Sequence, residues 1–157
     1  MTKIHNYTIR VKWTGNKGKG TLKYNEYGRD HIIYAEGKEN IHASSDPLFQ
    51  GDQGKINPEE LLLSSISACH MLWYLHLCAD AGIVVVEYTD SATAEMNINN
   101  DGSGRFASAT LNPEIIITDQ SMLEKAFILH KKANEMCFIA NSLNFKVFHK
   151  PVIHFIN

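Results

Sequence analysis

Apolar residues are densest between Leu61 and Ala81, and elsewhere they fall in short runs that alternate with polar ones. In the dense segment, NPEELLLSSISACHMLWYLHLCADAG, they cover most of a helical circumference, which predicts a central, buried helix. Its ends are punctuated. Asn57 suits the N-cap, Pro58 the first helical position, and Glu60 completes a capping box three residues after Asn57. Gly82 is a natural stop, so the pattern predicts a helix over Pro58–Ala81, about 36 Å long. A second capping pattern, Ser121 with Glu124, opens a helix running to about Ile139.

The remaining runs read as strands. Tyr7–Trp13, Thr21–Asn25 and His31–Ala35 come first, with a turn at Gly15–Gly20. Val84–Ile98 and Arg105–Thr118 flank NNDGSG, a hairpin signal. Asn144–Phe148 and Val152–Phe155 close the chain, as a strand pair or one strand kinked at Pro151. Between Ile41 and Ile56 lies a long irregular stretch, anchored by Leu48 and Phe49, of the kind that is usually functional when it occurs in a compact domain. The order β-β-β-α-β-β-α-β(β) predicts an α+β fold and a single domain over residues 1–157.

With 157 residues, 44% of them hydrophobic, the chain can build a core without staples. A net charge of −2 gives no support to nucleic-acid or anionic-membrane binding. The first fifteen residues hold no continuous apolar run, so a signal peptide is not expected. The longest apolar segment is broken by Ser64, Ser65, Ser67, His70 and His76, so no membrane span is expected. Three cysteines argue against a secreted disulfide framework and for a reducing cytoplasm.

Two of those cysteines carry the candidate chemistry. Cys69 is about three turns into the first helix, beyond reach of the N-terminal dipole, so its activation must come from a neighbouring cation or donor. Cys137 lies near the end of the second helix, where the dipole disfavours a thiolate, so Cys69 would attack and Cys137 resolve. Two inert core thiols are the competing account. Cys78, nine residues after Cys69, faces the other side of the helix and reads as core. His76 and His130 each lie seven residues from a candidate cysteine, about 10.5 Å along a helix, too far for one zinc ion; no metal is expected. The other histidines, His5, His31, His42, His70, His149 and His154, form no useful spacing and read as surface or satisfied core residues. Glu59 is not needed for capping. An arginine held by Glu59 and aimed at the sulfur would stabilise the thiolate and bind a peroxide oxygen. The chain has three arginines, Arg10, Arg29 and Arg105.

NPEELL followed by SACHMLWYLHLCADAG, together with the cysteine of NEMCFIANSLNF, resembles the OsmC/Ohr family of thiol-dependent peroxidases. The likeness runs from KWTGNKGKGT through YGRDH and SSDP to the last strand, and is most specific around the two cysteines. It implies an OsmC-like fold of two long helices packed on antiparallel β-sheets, and an intertwined homodimer with active sites at its interface. It implies Cys69 as peroxidatic thiol, Cys137 as resolving thiol and Glu59 as the holder of an activating arginine. The family branch commonly has that arginine where this chain has Gln50, in DPLFQGD. Arg29 is then the preferred cation and Arg10 the other; without either, Cys69 would be a slower nucleophile.

The reaction implied is reduction of organic hydroperoxides to alcohols through a Cys69 sulfenate and a Cys69–Cys137 disulfide, recycled by a dithiol or protein thiol, with no cofactor. Trp73, four residues after Cys69, and Phe49 would supply an apolar pocket, with Gln50 at the same site. The alternative is a small-ligand-binding or redox-sensing dimer without efficient turnover.

Overall fold

The computed structural model describes residues 3–156. They form two compact units, which divide between Leu61 and Leu62. The first holds an antiparallel meander, β1 (Arg10–Trp13), β2 (His31–Tyr34) and β3 (Ile41–Ala43).

The expected strand at Thr21–Asn25 is a series of turns instead. Asn16 Oδ1 accepts the N–H groups of Gly18 and Gly20 at 2.9 and 3.0 Å. The Arg29 guanidinium donates to the Tyr24 and Tyr27 carbonyls, removing acceptors that a strand ladder would use. The stretch after β3 is irregular as expected but pinned. Ala43 bridges Ile56, Asp52 N–H donates to the buried Ser44 hydroxyl at 3.1 Å, and Asp46 caps a short 3-10 turn at Pro47–Phe49. Gly51 is required there, because a Cβ would lie 1.6 Å from the Ser45 carbonyl oxygen.

Helix α1 (Pro58–Asp80) begins with the predicted capping box. Glu60 N–H donates to Asn57 Oδ1 at 2.8 Å, and Asn57 N–H to Glu60 Oε2 at 3.0 Å. It ends with Ile83 N–H on the Cys78 carbonyl at 2.8 Å and Gly82 at φ +73°. The expectation that α1 is buried all round is corrected. One stripe, Ile66, His70, Tyr74 and Cys78, is buried, at the four-residue spacing of a single helix face. By length and composition alone α1 would suffice to cross a membrane, contrary to the sequence expectation. Its buried stripe is nevertheless committed to protein contacts, Tyr74 and Cys78 in one apolar cluster and Ile66 in another.

Each long predicted strand is two. β4 (Val85–Asp90) and β5 (Thr93–Ile98) are separated at Ser91–Ala92, and β6 (Gly104–Leu111) and β7 (Pro113–Ile117) at Asn112. Asn112 fixes the break, donating its backbone N–H to Asp90 Oδ1 at 2.7 Å and its side-chain amide to the Ser91 carbonyl at 2.8 Å. Pro113, with no N–H to donate, opens β7.

The chain's last strands, β8 (Lys146–His149) and β9 (Val152–Phe155), divide in the same way. The two resulting sheets are β4-β7-β9 and β5-β6-β8, and each contains one parallel pair, β7 with β9 and β6 with β8. The sheets are therefore mixed, where wholly antiparallel ones were expected. Helix α2 (Leu123–Met136) is preceded by a 3-10 turn capped by Asp119, which accepts the Ser121 N–H at 2.8 Å. Ser121 is thus inside that turn and is not the cap. Ile83, Ile115 and Ile117 pack with Tyr74, Cys78, Ala126 and Ala133 in one core cluster, and Ile66 with Ala109 and Leu111 in another.

Candidate functional site

Cys69 lies one residue off the buried stripe of α1, half-buried beside it. Cys137 is the residue that ends α2, 1% exposed, with φ −69° and ψ 110°. The chain turns there into a 3-10 turn at Ala140–Ser142, whose first N–H donates to Cys137 Sγ at 3.4 Å. Burial pushes the Cys137 thiol up to about 11, and donation of its proton to the Cys69 sulfur pushes the same way. Cys137 thus lies within hydrogen-bonding reach of Cys69, and both are free thiols. Cys78 is buried in the core, where its side of the helix placed it, with its thiol pushed up by burial.

The Cys69 side of α1 opens into an apolar cavity of about 530 Å³. Ser65, Cys69, Leu72, Trp73 and His76 contribute from α1, at spacings of three, four and seven residues around the cysteine, and Phe138 and Ile139 from the turn after Cys137. Trp73 packs edge-on against Phe138 at 5.6 Å and against His76 at 5.7 Å. Trp73 lines the same cavity as Cys69. Phe138, Leu72 and Ile139 were not anticipated, although Phe138 adjoins Cys137 and Leu72 shares the helix face of Cys69. His76, excluded as a metal ligand by its spacing, lines the cavity and lies 3.4 Å from Asp80.

The other predicted residues belong to the first unit. Phe49 and Gln50 form and close the 3-10 turn, and Gln50 adopts φ +63°, a left-handed conformation uncommon for a side-chain-bearing residue. Arg29 stacks between Tyr24 and Tyr27, its guanidinium carbon 4.2 and 4.0 Å from their ring centres, and Arg10 lies 4.5 Å over the Tyr34 ring. Asp30 pairs with Lys55 at 2.7 Å and not with Arg29. Glu59 is half-buried and makes no ion pair with Arg29.

The sequence reading missed a second group, three histidines from three elements. His70 Nε2 and His130 Nδ1 are hydrogen-bonded at 3.0 Å, His149 packs on His70 at 4.4 Å, and Tyr74 stacks on His130 at 3.9 Å. Burial drives His70 and His130 down to about 3 and lowers His149, so all three are neutral at pH 7. They are not satisfied core residues: His70 Nδ1, His130 Nε2 and His149 Nε2 are buried without a partner. No group of three His, Cys, Asp or Glu side chains is placed to hold a metal among the described residues.

The same architecture is found in solved structures. An OsmC-like protein of unknown function from Vibrio cholerae superposes with a TM-score of 0.85 at 27% identity, covering 95% of this chain and all of that one. Organic hydroperoxide resistance proteins from Elizabethkingia anophelis and Legionella pneumophila share the fold. Their TM-scores are 0.69 and 0.68 at 18% and 16% identity, covering 99% and 98% of this chain and 100% and 99% of theirs. No curated protein matches the chain in sequence. The family described as OsmC-like protein matches residues 51–150, a span that includes α1, α2, Cys69 and Cys137, and the chain belongs to that family.

Proposed function

We propose that the chain is a two-cysteine peroxidase that reduces organic hydroperoxides. The observation that carries this reading is Cys69 on the wall of an apolar cavity that the residues just after Cys137, Phe138 and Ile139, also line. Cys69 attacks as the thiolate on the distal peroxide oxygen. The O–O bond breaks, the alkoxide leaves and takes a proton to become the alcohol, and Cys69 becomes a sulfenic acid. Cys137 then gives up its proton and attacks the Cys69 sulfur. The S–S bond forms, hydroxide leaves and is protonated to water, and a dithiol or protein thiol reduces the disulfide. Leu72, Trp73, Phe138 and Ile139 favour an alkyl or aryl peroxide over hydrogen peroxide, because an apolar tail gains by leaving water.

Some proteins of this fold are named for organic hydroperoxide resistance, which agrees with the reading. So do the exposed apolar side chains Leu72 and Phe138, 63% and 68% exposed, at the cavity rim. A second copy of the chain covering them would form a homodimer with the site at its interface. Glu59 and a cation, Arg29 by preference, complete the site in this proposal.

A second reading, a ligand-binding or redox-sensing dimer, is favoured by one feature. The basic side chain on the cavity wall is His76, with neither lysine nor arginine among the lining residues.

Stopped-flow thiol oxidation separates the two. Reduced protein is mixed with cumene hydroperoxide, t-butyl hydroperoxide and hydrogen peroxide, beside Cys69→Ser and Cys137→Ser. The peroxidase consumes organic peroxides fast and loses this in Cys69→Ser, while Cys137→Ser accumulates a sulfenate trapped by dimedone. Rates equal to those of a free thiol leave the second reading.

A further inference from the structure

Cys137 stands where the chain leaves α2, and the turn that follows is closed on itself and on that helix. Asn141 N–H donates to the Cys137 carbonyl at 3.0 Å, Ala140 N–H to the Cys137 sulfur at 3.4 Å and Ser142 Oγ to the Phe138 carbonyl at 2.8 Å. The Asn141 side-chain amide donates to the Glu135 carbonyl at 2.9 Å. None of these bonds reaches α1, so none sets where Cys137 lies relative to Cys69. The bond between His70 and His130 does join the two helices, at 3.0 Å. It lies seven residues before Cys137, about 10.5 Å back along α2, and does not hold the turn beyond the helix end.

Two apolar side chains tie that turn to α1. Ile139 packs against the cluster that contains Ile66, three residues before Cys69. Phe138 meets Trp73, four residues after Cys69, edge to face, with ring centres 5.6 Å apart and planes at 86°. The turn is thereby anchored on both sides of the thiol. Trp73 is braced in turn by His76 at 5.7 Å. Phe138 is 68% exposed, so core packing does not fix its ring, and the preferred edge-to-face geometry with Trp73 does. Cys137 is 1% exposed and has little room to search for its partner. A reaction between two sulfurs inside one chain gains its speed from being held in a near-attack geometry, so the placement of this turn governs it.

We propose that Phe138 is a positioning residue: its contact with Trp73 clasps the turn after α2 to α1 and so sets how fast Cys137 closes the disulfide on Cys69. The use of this clasp in turnover rests on the two-cysteine reading above.

Reduced full chain is mixed in stopped flow with one equivalent of dithiodipyridine, which oxidises the pair without peroxide. Cys69 attacks the reagent and releases one thiopyridone, leaving a mixed disulfide. Cys137 then loses its proton and attacks the Cys69 sulfur, and the second thiopyridone leaves. Cys69→Ser and Cys137→Ser assign the two phases, and the ratio of closing rate to labelling rate is the readout. The ratio falls about tenfold in Phe138→Ala and returns to the wild-type value in Phe138→Tyr, which restores the ring. It falls no further in the double variant with Trp73→Leu than in Phe138→Ala alone, as for two ends of one contact. An unchanged ratio in Phe138→Ala, no rescue by Phe138→Tyr, or losses that multiply in the double variant would each overturn the proposal. Cumene hydroperoxide tests the peroxidase reading separately. Slow thiol loss with the peroxide, while the ratio still falls, ends that reading and leaves the clasp in place; a wild-type protein with no second phase overturns both.

Discussion

Burial pushes the Cys137 thiol up to about 11, and its proton is directed at the Cys69 sulfur, so at neutral pH it is a thiol and not a thiolate. Labelling with iodoacetamide, read residue by residue by mass spectrometry, should therefore modify Cys137 at a rate that climbs about tenfold per pH unit from pH 7 to 10. A plateau by pH 9 would contradict the assigned environment. The dipole argument from sequence gave the same sense for Cys137, but burial is the larger cause. The residues beside Cys69 were legible only in part. Trp73 could be placed by helical spacing, whereas Phe138 enters the cavity because the chain turns at Cys137, and a helix continued to Ile139 would have carried it elsewhere.

At the scale of elements, the histidine cluster ties α1, α2 and β8 together through groups that must stay neutral. His70 and His130 have folded values of about 3 against 6.5 when unfolded. Above pH 6.5 both states are unprotonated and the cluster gives no pH dependence. Below it the unfolded chain takes up protons that the folded chain refuses, so stability falls as pH drops from 6.5 towards 3. Urea unfolding at pH 7 and pH 5 should show a loss of ~2 kcal/mol for each of these two histidines, and His130→Asn should remove about half of it. An unchanged midpoint would show that the rings are protonated in place. No spacing in the sequence could have grouped residues 70, 130 and 149, since the contact is made by three elements distant along the chain. Where local rules sufficed, they held: the Asn57–Glu60 box and the Gly82 stop set the ends of α1 to within a residue.

For the whole molecule, the apolar rim of the thiol cavity is the feature that a single chain leaves open, with Leu72 and Phe138 both largely exposed. If a second copy covers it, sedimentation velocity should give a dimer at micromolar concentration, and Leu72→Glu should give a monomer, since a buried unpaired charge is strongly disfavoured. A wild-type monomer would remove the interface from the proposed site.

Sequence by itself determined the helices, the hairpin, the α+β class and the two cysteine positions, because each rests on contacts within one stretch of chain. It also carried the family resemblance, through motifs local to the two cysteines. Tertiary structure alone decided that Cys137 lies beside Cys69 and that Asn112 splits two strands into four. The parallel returns of β8 and β9, the Arg29 contacts that abolish a strand and the meeting of three histidines were decided there too. Those outcomes depend on which distant groups satisfy one another's hydrogen bonds in the folded chain, and local pattern carries no record of the partner.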